Sequence, residues 1–318
     1  MQTEIGKDIQ KAAELLIAGE VVAIPTETVY GLAANAFSET AVIKIFEAKD
    51  RPFFDPLIVH IKSTDDPAKY ASYIPGIAKK LMNRFWPGPL TLVLPKKDVV
   101  PSIVTAGQDT VGLRMPSLFM THQLLEILPF PLAAPSANPF GYISPTTAQH
   151  VFDQLQGKIP YILDGGACMV GVESTIVGFD GDEPVVYRLG GTSIEDIEAI
   201  SGKVRFQINQ SSNPSAPGQL KSHYAPGKPV LRGDIEKLIH EYPNKKIAVI
   251  SFQKAWDGES IIHNWILSEN GNLKEAAIHL FKALREADQS NADIILGEIF
   301  PEEGLGRAIN DRLRRAAG

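Results

Sequence analysis

A run of small polar residues follows a short apolar stretch at 131–147, where the sequence reads PLAAPSANPFGYISPTT. Ser136, Asn138 and Ser144 supply hydroxyl and amide groups, and the run contains no carboxylate. Such a segment lets backbone N–H groups approach an anion or a nucleotide without repelling it. The same residue types are typical of an ordinary turn. The rest of the chain must decide between these two interpretations.

Three arginines stand at or beside predicted strand ends, in apolar or Gly/Pro surroundings. They are Arg51 in AKDRP, Arg114 in VGLRMP and Arg188 in VVYRLGG. A buried guanidinium without an anionic partner costs several kcal/mol, so each arginine needs one. A structural Asp or Glu satisfies any single arginine. Three together indicate the carboxylate or phosphate groups of ligands, which the planar guanidinium binds in bidentate fashion.

Lys49 and Arg51 alternate across Asp50. In an extended segment both side chains leave from one face, and two cations on one face suit a polyphosphate. The alternative is a solvated loop after a helix, because basic residues are favoured near a helix C-terminus.

Further polar residues stand near the ends of predicted strands. Thr26, Glu27 and Thr28 follow a buried strand, and Ser174 precedes another in ESTIV. Strand ends are a frequent position for ligand groups in α/β sheets, although a turn with a helix cap explains the same letters. His60, in LIVHIK, is either a donor to a substrate or a satisfied core residue. The sequence shows no nucleophile triad, metal-ligand motif or common phosphate loop.

Composition limits the remaining classes. The chain has 318 residues, 44% of them hydrophobic, and a formal net charge of −6. This charge gives no footprint for wrapping a nucleic-acid backbone, so any RNA contact is expected to be local and weak. The single cysteine, Cys168, excludes an intrachain disulfide and a cysteine-rich zinc site. The start of the chain is unlike a signal peptide and no apolar run approaches about 20 residues, which predicts a cytoplasmic protein without a membrane span.

Periodicity predicts an α/β protein with two parts. Over 1–202, strands and helices interleave irregularly and several strands follow one another, which indicates a mixed sheet. The stretch 203–229 is dense in Ser, Pro and Gly and is the predicted linker. Over 230–318, predicted strands at 247–251 and 292–299 flank a helix at 272–288, as in a small βαβ domain.

The motifs PTETVYGL, AKDRP followed by PLIVHI, VGLRMP, PLAAPSANPFGYISPTTA, ILDGG, GVESTIV and SAPGQLKSHYAP occur in this order. Together they closely resemble the threonylcarbamoyl-AMP synthase family in its longer, two-domain form. The resemblance implies a YrdC-like twisted mixed α/β sheet followed by a smaller Rossmann-like α/β domain. It also implies formation of L-threonylcarbamoyladenylate from L-threonine, bicarbonate or CO2, and ATP, with release of pyrophosphate. The product serves threonylcarbamoylation of the adenosine next to the anticodon in tRNA.

The resemblance also assigns residues to roles. The catalytic Lys-x-Arg and Ser-x-Asn signatures fall on Lys49, Arg51, Ser136 and Asn138. The residues matched to threonine binding are Thr28, His60, Arg114, Ala134 and Ser174. The residues matched to ATP binding are Arg51, Asp55, Thr110, Ser136, Ser144, Arg188 and Tyr224. Asp55 stands where many members carry asparagine or a basic residue. No metal ligand is assigned, because Mg²⁺ would be held mainly by the ATP phosphates.

The linker is expected to close over the site as a lid, with Tyr224 against the nucleotide and Lys221 or His223 near its phosphates. A passive tether is the alternative. The expected partners are the substrates and the downstream proteins that transfer the product to tRNA. Two other functions stay open. One is a carbamoyl-transfer protein of the hydrogenase-maturation type, which is disfavoured by the single cysteine, and the other is a double-stranded RNA-binding module.

Overall fold

The computed structural model describes residues 2–208 and 224–318. The first of these ranges contains one large sheet and the helices that cover it. Its strands are β1 (Glu4–Gly6), β2 (Val22–Ile24), β3 (Gly31–Asn35), β4 (Ile58–His60), β5 (Leu90–Pro95), β6 (Thr110–Arg114), β7 (Leu132–Ala133), β8 (Tyr161–Leu163), β9 (Thr175–Asp180), β10 (Glu183–Arg188) and β11 (Arg205–Phe206). Its helices are α1 (Ile9–Ile17), α2 (Glu39–Lys49), α3 (Pro67–Tyr70), α4 (Gly76–Phe85), α5 (Phe119–Ile127), α6 (Ala148–Leu155) and α7 (Ile194–Ser201).

The large sheet is mixed, as the sequence predicts. Its 11 strands have the order β1-β8-β2-β3-β7-β4-β6-β5-β9-β10-β11. Pairs such as β4 with β6 and β5 with β9 are parallel, whereas β3 with β7 and β5 with β6 are antiparallel. Strands far apart in the sequence are therefore neighbours in the middle of the sheet. Their ends bring residues from many segments to one place.

The second range, 224–318, forms a smaller sheet with helices. Its elements are β12 (Val230–Gly233), α8 (Ile235–Glu241), β13 (Ile247–Ser251), β14 (Ile261–Ile266), α9 (Leu273–Gln289), β15 (Ile294–Glu298) and α10 (Gly306–Ala316). The four strands are all parallel, in the order β12-β15-β13-β14. This is the Rossmann-like α/β arrangement that the sequence predicts, and β13 has the predicted bounds.

The two sheets share part of their hydrophobic core. Val29, Ile143 and Val172 come from the first range and are buried in the same cluster as Phe281 and Leu284 of α9. Adding a Cβ to Gly171 would place it 2.3 Å from the backbone of α9, so the two parts approach too closely there for any larger residue. Burial of this shared apolar surface holds α9 and α10 against the large sheet.

Within residues 2–208 and 224–318, the helices are all too short or too polar to cross a membrane. Cys168 is buried in the main core, and burial raises the pKa of its thiol to about 12. A thiol that stays protonated is a poor nucleophile, so Cys168 is a packing residue here.

Candidate functional site

A polar cleft opens where the central strands of the large sheet end. Three guanidinium groups and one carboxylate line it, together with hydroxyls and one imidazole. The lining residues are Thr26, Thr28, Val29, Gly31, Arg51, Ile58, His60, Arg114, Ala134, Pro135, Ser136, Glu173, Ser174, Arg188 and Tyr224. Because positive groups outnumber negative ones on this wall, the cleft is suited to an anionic ligand.

The pairing of the strands explains how distant segments meet in the cleft. His60 at the end of β4 is the register partner of Arg114 at the end of β6. On the other side of β4, His60 is paired with Leu132 of β7, which leads directly into Ala134 and Ser136. Ser136 in turn forms an isolated bridge with Gly31. The segment that contains PSAN is therefore fixed by the sheet and forms part of the cleft wall.

Arg114 is held by a carboxylate of the loop after β2. Its Nη2 donates to Glu27 Oε1 at 2.7 Å, and both side chains are buried. Ser117 N donates to the second oxygen, Glu27 Oε2, at 3.1 Å. The sequence left open whether Arg114 has a structural carboxylate partner or faces a ligand. The structure supports both, because the paired arginine also lines the cleft.

The two threonines of this loop are linked by their hydroxyls. Thr26 Oγ1 and Thr28 Oγ1 lie 2.8 Å apart, and Thr26 Oγ1 also donates to Val29 O at 2.6 Å. The Thr26 hydroxyl proton is thus used within the loop. The Thr28 hydroxyl therefore donates to Thr26 Oγ1, and its oxygen is left to accept a hydrogen bond in the cleft, as from a substrate hydroxyl.

His60 is buried and neutral. Burial, with a further contribution from the nearby Arg114 guanidinium, lowers its pKa to about 3. His60 is only 3% exposed, and its Nδ1 has no hydrogen-bond partner among the described residues. Because the side chain also lines the cleft, this unpartnered ring nitrogen can form one hydrogen bond with a bound polar group.

The lowered pKa of His60 leads to a prediction about stability. A histidine in the unfolded chain titrates near 6.5, so the unfolded state binds a proton that folded His60 does not. The contribution of neutral His60 is therefore complete above pH 6.5 and is lost as the pH falls towards 3. We expect His60→Gln to reduce the loss of unfolding free energy between pH 6.5 and 4 by about 3 kcal/mol, measured by urea denaturation.

The exposed His240 offers a control for the loss of one histidine, as His240→Gln. This variant is expected to lose stability with acid as steeply as the wild type does. An equally steep loss in His60→Gln would contradict the burial of a neutral imidazole.

The chain turns sharply before Arg51. Helix α2 ends at Lys49, and Asp50 has a left-handed backbone conformation with φ of 52°. Arg51 N then donates to Phe46 O at 3.0 Å. The prediction of an extended segment from Lys49 to Arg51 is therefore wrong, because helix α2 continues through Lys49. The two side chains do not leave from one face of a strand.

Arg51 lines the cleft and is paired with Asp55. Its Nη2 lies 2.8 Å from Asp55 Oδ2, and it also donates to Pro56 O at 3.0 Å. Asp55 is completely buried, and this burial raises the pKa of its carboxyl above the ordinary value in spite of Arg51. Asp55 itself is not among the residues that line the cleft. Its place behind Arg51 gives it the role of orienting the guanidinium.

Lys49 is buried behind the cleft wall instead of facing it. Its Nζ donates to the backbone carbonyls of Ser136 and Asn138, so the amine fixes the PSAN segment. Phe140 N donates back to Lys49 O at 2.8 Å. Burial, with the nearby charge of Arg51, lowers the pKa of Lys49 well below its usual range. The structure thus connects the Lys-x-Arg and Ser-x-Asn signatures by direct contact.

Asn138 has a similar place inside the loop. Its Nδ2 donates to Pro139 O and Tyr142 O, both at 2.8 Å, and the side chain is completely buried. It lies outside the cleft lining, whereas Ser136 lines the cleft. The amide therefore shapes the turn that presents Ser136.

Arg188, at the end of β10, is hydrogen-bonded to Ser174, which directly precedes β9. Arg188 Nη2 donates to Ser174 O at 2.9 Å and to Ser174 Oγ at 3.0 Å. Thr91 Oγ1 lies 2.7 Å from the same serine hydroxyl. The following Gly190 permits this approach, since a Cβ there would lie 2.2 Å from Glu173 O. Burial lowers the pKa of Arg188 to about 10, so it remains a cation at neutral pH.

Besides Asp55, two more of the predicted ATP residues lie outside the cleft lining. Ser144 is completely buried and donates to Glu173 Oε1, so it supports a carboxylate that does line the cleft. Thr110 begins β6, at the opposite end from Arg114, and lines a separate pocket with Pro56 and Gln108. Because β6 separates them, Thr110 and Arg114 face different regions, and the structure does not bring Thr110 to this cleft.

Tyr224 connects the cleft to the second part of the chain. It has a left-handed backbone conformation with φ of 67° and is 1% exposed. Its ring stacks on Phe281 with centroids 5.6 Å apart, while the residue also lines the cleft. The rest of the expected lid from 209 to 223, with Lys221 and His223, lies outside the described residues.

Glu173 is a cleft residue that sequence reasoning missed. It accepts from Ser144 and from Arg312 Nε at 2.8 Å, and Arg312 belongs to α10. The ESTIV motif directs attention to its hydroxyls, although a carboxylate immediately before a buried strand also needs a cationic partner. That partner is 139 positions away, so no local pattern shows it.

The fold and cleft define an α/β protein with an arginine-lined cleft at the ends of its central strands. A family model described as Telomere recombination matches residues 14–190. A second, described as Threonylcarbamoyl-AMP synthase, C-terminal domain, matches residues 192–318.

Relatives match along almost the whole chain. The threonylcarbamoyl-AMP synthase of Pyrococcus abyssi is 43% identical over an alignment of 325 positions, gaps included. The alignment covers 98% of this chain and 94% of that protein. The synthase of Bacillus subtilis is 43% identical over 321 residues, covering 98% and 93%. The crystal structure of P. abyssi Sua5 complexed with L-threonine superimposes with a TM-score of 0.92 at 41% identity, covering 100% of this chain and 98% of that one. The chain belongs to the threonylcarbamoyl-AMP synthase family.

Proposed function

We propose that this protein is an L-threonylcarbamoyladenylate synthase, a nucleotidyltransferase that uses L-threonine, bicarbonate or CO2, and ATP. One observation carries the proposal. A cleft lined by three guanidinium groups and several hydroxyls lies in a chain that is similar along its length to synthases of this name. The same relatives support this function and not the RNA-binding or carbamoyl-transfer alternatives.

For threonine, we propose the part of the cleft around Arg114 and His60. Arg114 offers a guanidinium for the carboxylate, and Thr28 or His60 offers a partner for the hydroxyl. The backbone at Ala134 and the hydroxyl of Ser174 complete the proposed set. The register pairing of His60 with Arg114 supports this arrangement, because it keeps both groups at one strand end.

For ATP, we propose the neighbouring part of the cleft, with Arg51, Ser136, Arg188 and Tyr224. Asp55 and Ser144 act from behind through Arg51 and Glu173, and Lys49 and Asn138 hold the Ser136 segment. We therefore propose Lys49 and Asn138 as positioning residues. The cleft contacts give no support for a role of Thr110 at ATP.

The reaction then needs two bond-forming steps. The threonine nitrogen, as a free amine, forms a C–N bond to CO2 and loses a proton, which gives a carbamate. A carbamate oxygen attacks the α-phosphorus of ATP, and the bond from that phosphorus to the leaving pyrophosphate breaks. Arg51 and Arg188 neutralise the charge that develops on the phosphates, and the cleft walls orient both reactants.

Magnesium is proposed to enter with ATP. Among the described residues, no group of three or more His, Cys, Asp and Glu side chains is placed to hold a metal ion. Glu173 and Asp55 are instead occupied by Arg312 and Arg51. This donor set fits an ion held mainly by phosphate oxygens, where it would neutralise charge on the triphosphate.

The remaining parts of the proposal concern organisation. We propose a catalytic domain at 1–202, a linker at 203–229 and a C-terminal domain at 230–318. The product is proposed to pass, in the cytoplasm, to proteins that transfer the threonylcarbamoyl group to the adenosine next to the anticodon of tRNA.

The proposed function predicts which substrates pyrophosphate release requires. We expect release from ATP only when threonine and bicarbonate are both present, because the carbamate is the nucleophile. A coupled phosphate assay with each substrate omitted in turn measures this. Release at full rate without threonine would contradict the proposal, and tRNA binding with a steep salt dependence but no ATP turnover would favour the RNA-binding alternative.

A further inference from the structure

Helix α10 sends one buried arginine to the back of the cleft wall. Arg312 is completely buried, and all three guanidinium nitrogens have acceptors. Nε donates to Glu173 Oε2 at 2.8 Å, Nη1 to Asp311 Oδ2 at 2.8 Å and Nη2 to Leu189 O at 2.9 Å. A buried guanidinium with an acceptor at each of its nitrogens is held in one orientation.

The contacts of Arg312 reach three sections of the cleft wall. Glu173 lines the cleft and holds Ser144, and Leu189 directly follows Arg188. The guanidinium also lies over the ring of Tyr224, 4.8 Å from its centroid, and Arg315 lies over the same ring at 5.0 Å. Through Ser144, Arg188 and Tyr224, these sections are the ones proposed for ATP.

The charge of Glu173 depends on this contact. Burial alone would raise the pKa of its carboxyl, but the guanidiniums of Arg312 and Arg188, and the Ser144 hydroxyl, outweigh burial and hold the pKa below its usual value. Tyr224, Arg315 and Asp311 are further titratable groups that face this cluster. An ionised Glu173 keeps both oxygens as acceptors, one for Ser144 and one for Arg312.

We propose that Arg312 is a positioning residue for the ATP part of the cleft, so that the second part of the chain completes the site of the first. This inference rests on the proposed function. Arg312 fixes Glu173, the segment after Arg188 and the ring of Tyr224 relative to one another. Its loss should therefore weaken ATP binding more than threonine binding. Of the proposed threonine residues, Ser174 adjoins its partner Glu173, whereas His60 and Arg114 lie on strands that it does not contact.

A second ion pair between the same two parts provides a matched control. Arg307 Nη1, also on α10, lies 3.1 Å from Glu195 Oε1 on α7, and both side chains are partly exposed. Neither residue lines the cleft. Arg307→Met therefore removes a cation and a bridge between the two parts without touching the proposed ATP residues.

The test is steady-state kinetics of adenylate formation with the full-length protein. For Arg312→Met we expect the KM for ATP to rise roughly tenfold or more while the KM for threonine changes little, because small displacements of positioning groups have effects of this size. Arg312→Lys should give an intermediate KM for ATP, and Arg307→Met an unchanged one. An unchanged KM for ATP in Arg312→Met, with only a lower kcat from less folded protein, would overturn the inference.

Arg312→Met leaves the charge of Glu173 buried without its partner, which destabilises the fold. A paired variant keeps the test decisive if Arg312→Met does not fold. Arg312→Met with Glu173→Gln removes both charges and should melt closer to the wild type, while its KM for ATP stays raised. A wild-type KM in this variant would overturn the positioning role. The unmutated protein separates the two proposals: without adenylate formation there, the proposed function itself fails.

Discussion

Replacement of Arg114 by methionine is expected to raise the dissociation constant for threonine about a hundredfold, because a charge-assisted bidentate pair is worth up to about 3 kcal/mol. The affinity for ATP should change little, since Arg51 and Arg188 lie on other segments. Isothermal titration with each ligand measures both. Arg114 is the cleft cation whose strand register places it beside His60, which is why the effect should fall on the amino acid.

The variant also leaves Glu27 without its 2.7 Å partner in a buried place. Arg114→Met combined with Glu27→Gln removes that unpaired charge, so it should restore the melting temperature without restoring threonine binding. Arg114→Lys keeps the charge but loses the planar guanidinium, so its affinity for threonine should lie between those of the wild type and Arg114→Met. Wild-type threonine affinity in the paired variant would remove Arg114 from the proposed threonine site.

Replacement of Arg51 by methionine is expected to lower kcat/KM for ATP by about a hundred- to a thousandfold, the usual cost of losing a cation that stabilises charge in a transition state. Arg51 reaches the cleft from the sharp turn after α2, with Asp55 behind it. The threonine dissociation constant should stay near the wild-type value. Rates of pyrophosphate release at varied ATP measure the effect.

Removal of Arg51 alone leaves Asp55 buried without its ion pair, so Arg51→Met with Asp55→Asn separates folding from catalysis. Arg205→Met is a charge control, since Arg205 is exposed and paired with Asp180 on the same sheet. This control should keep the wild-type rate. A paired variant that turns over as fast as the Arg205 control would contradict a role of Arg51 at the phosphates.

Much of the fold could be predicted because apolar periodicity is strong in this chain. The predicted helix at 272–288 is α9 (Leu273–Gln289), and the predicted strand at 247–251 is β13. Strand β3, with the sequence GLAAN, was missed because Gly and Ala have low strand propensity. Its identity comes from antiparallel pairing with β2 and β7, which is a long-range property.

The site could be predicted in outline, because arginines and small polar residues at strand ends carry their own physical signal. Arg51, Arg114 and Arg188 do share one cleft wall with Ser136. The sequence did not predict the direction in which the Lys49 side chain points. Lys49 points away from the wall because α2 extends through it, and no sequence pattern indicates that its amine would bind the carbonyls of the PSAN segment.

The contribution of the second part of the chain could not be predicted at all. Arg312 lies in a helix with several other arginines, and its spacing does not distinguish it from the exposed Arg314. Only packing of α10 against the large sheet selects Arg312 for Glu173. Contacts between such distant residues depend on how the two parts pack, and local propensity carries no information about that.

The central claim is that the cleft joins a threonine carbamate to AMP, and isotope labelling tests it most directly. The protein is incubated with ATP, 15N-threonine and 13C-bicarbonate, and the products are resolved by mass spectrometry. The account predicts an adenylate that carries both labels, formed in step with pyrophosphate. An adenylate that carries 15N without 13C, in which threonine itself had attacked ATP, would contradict it.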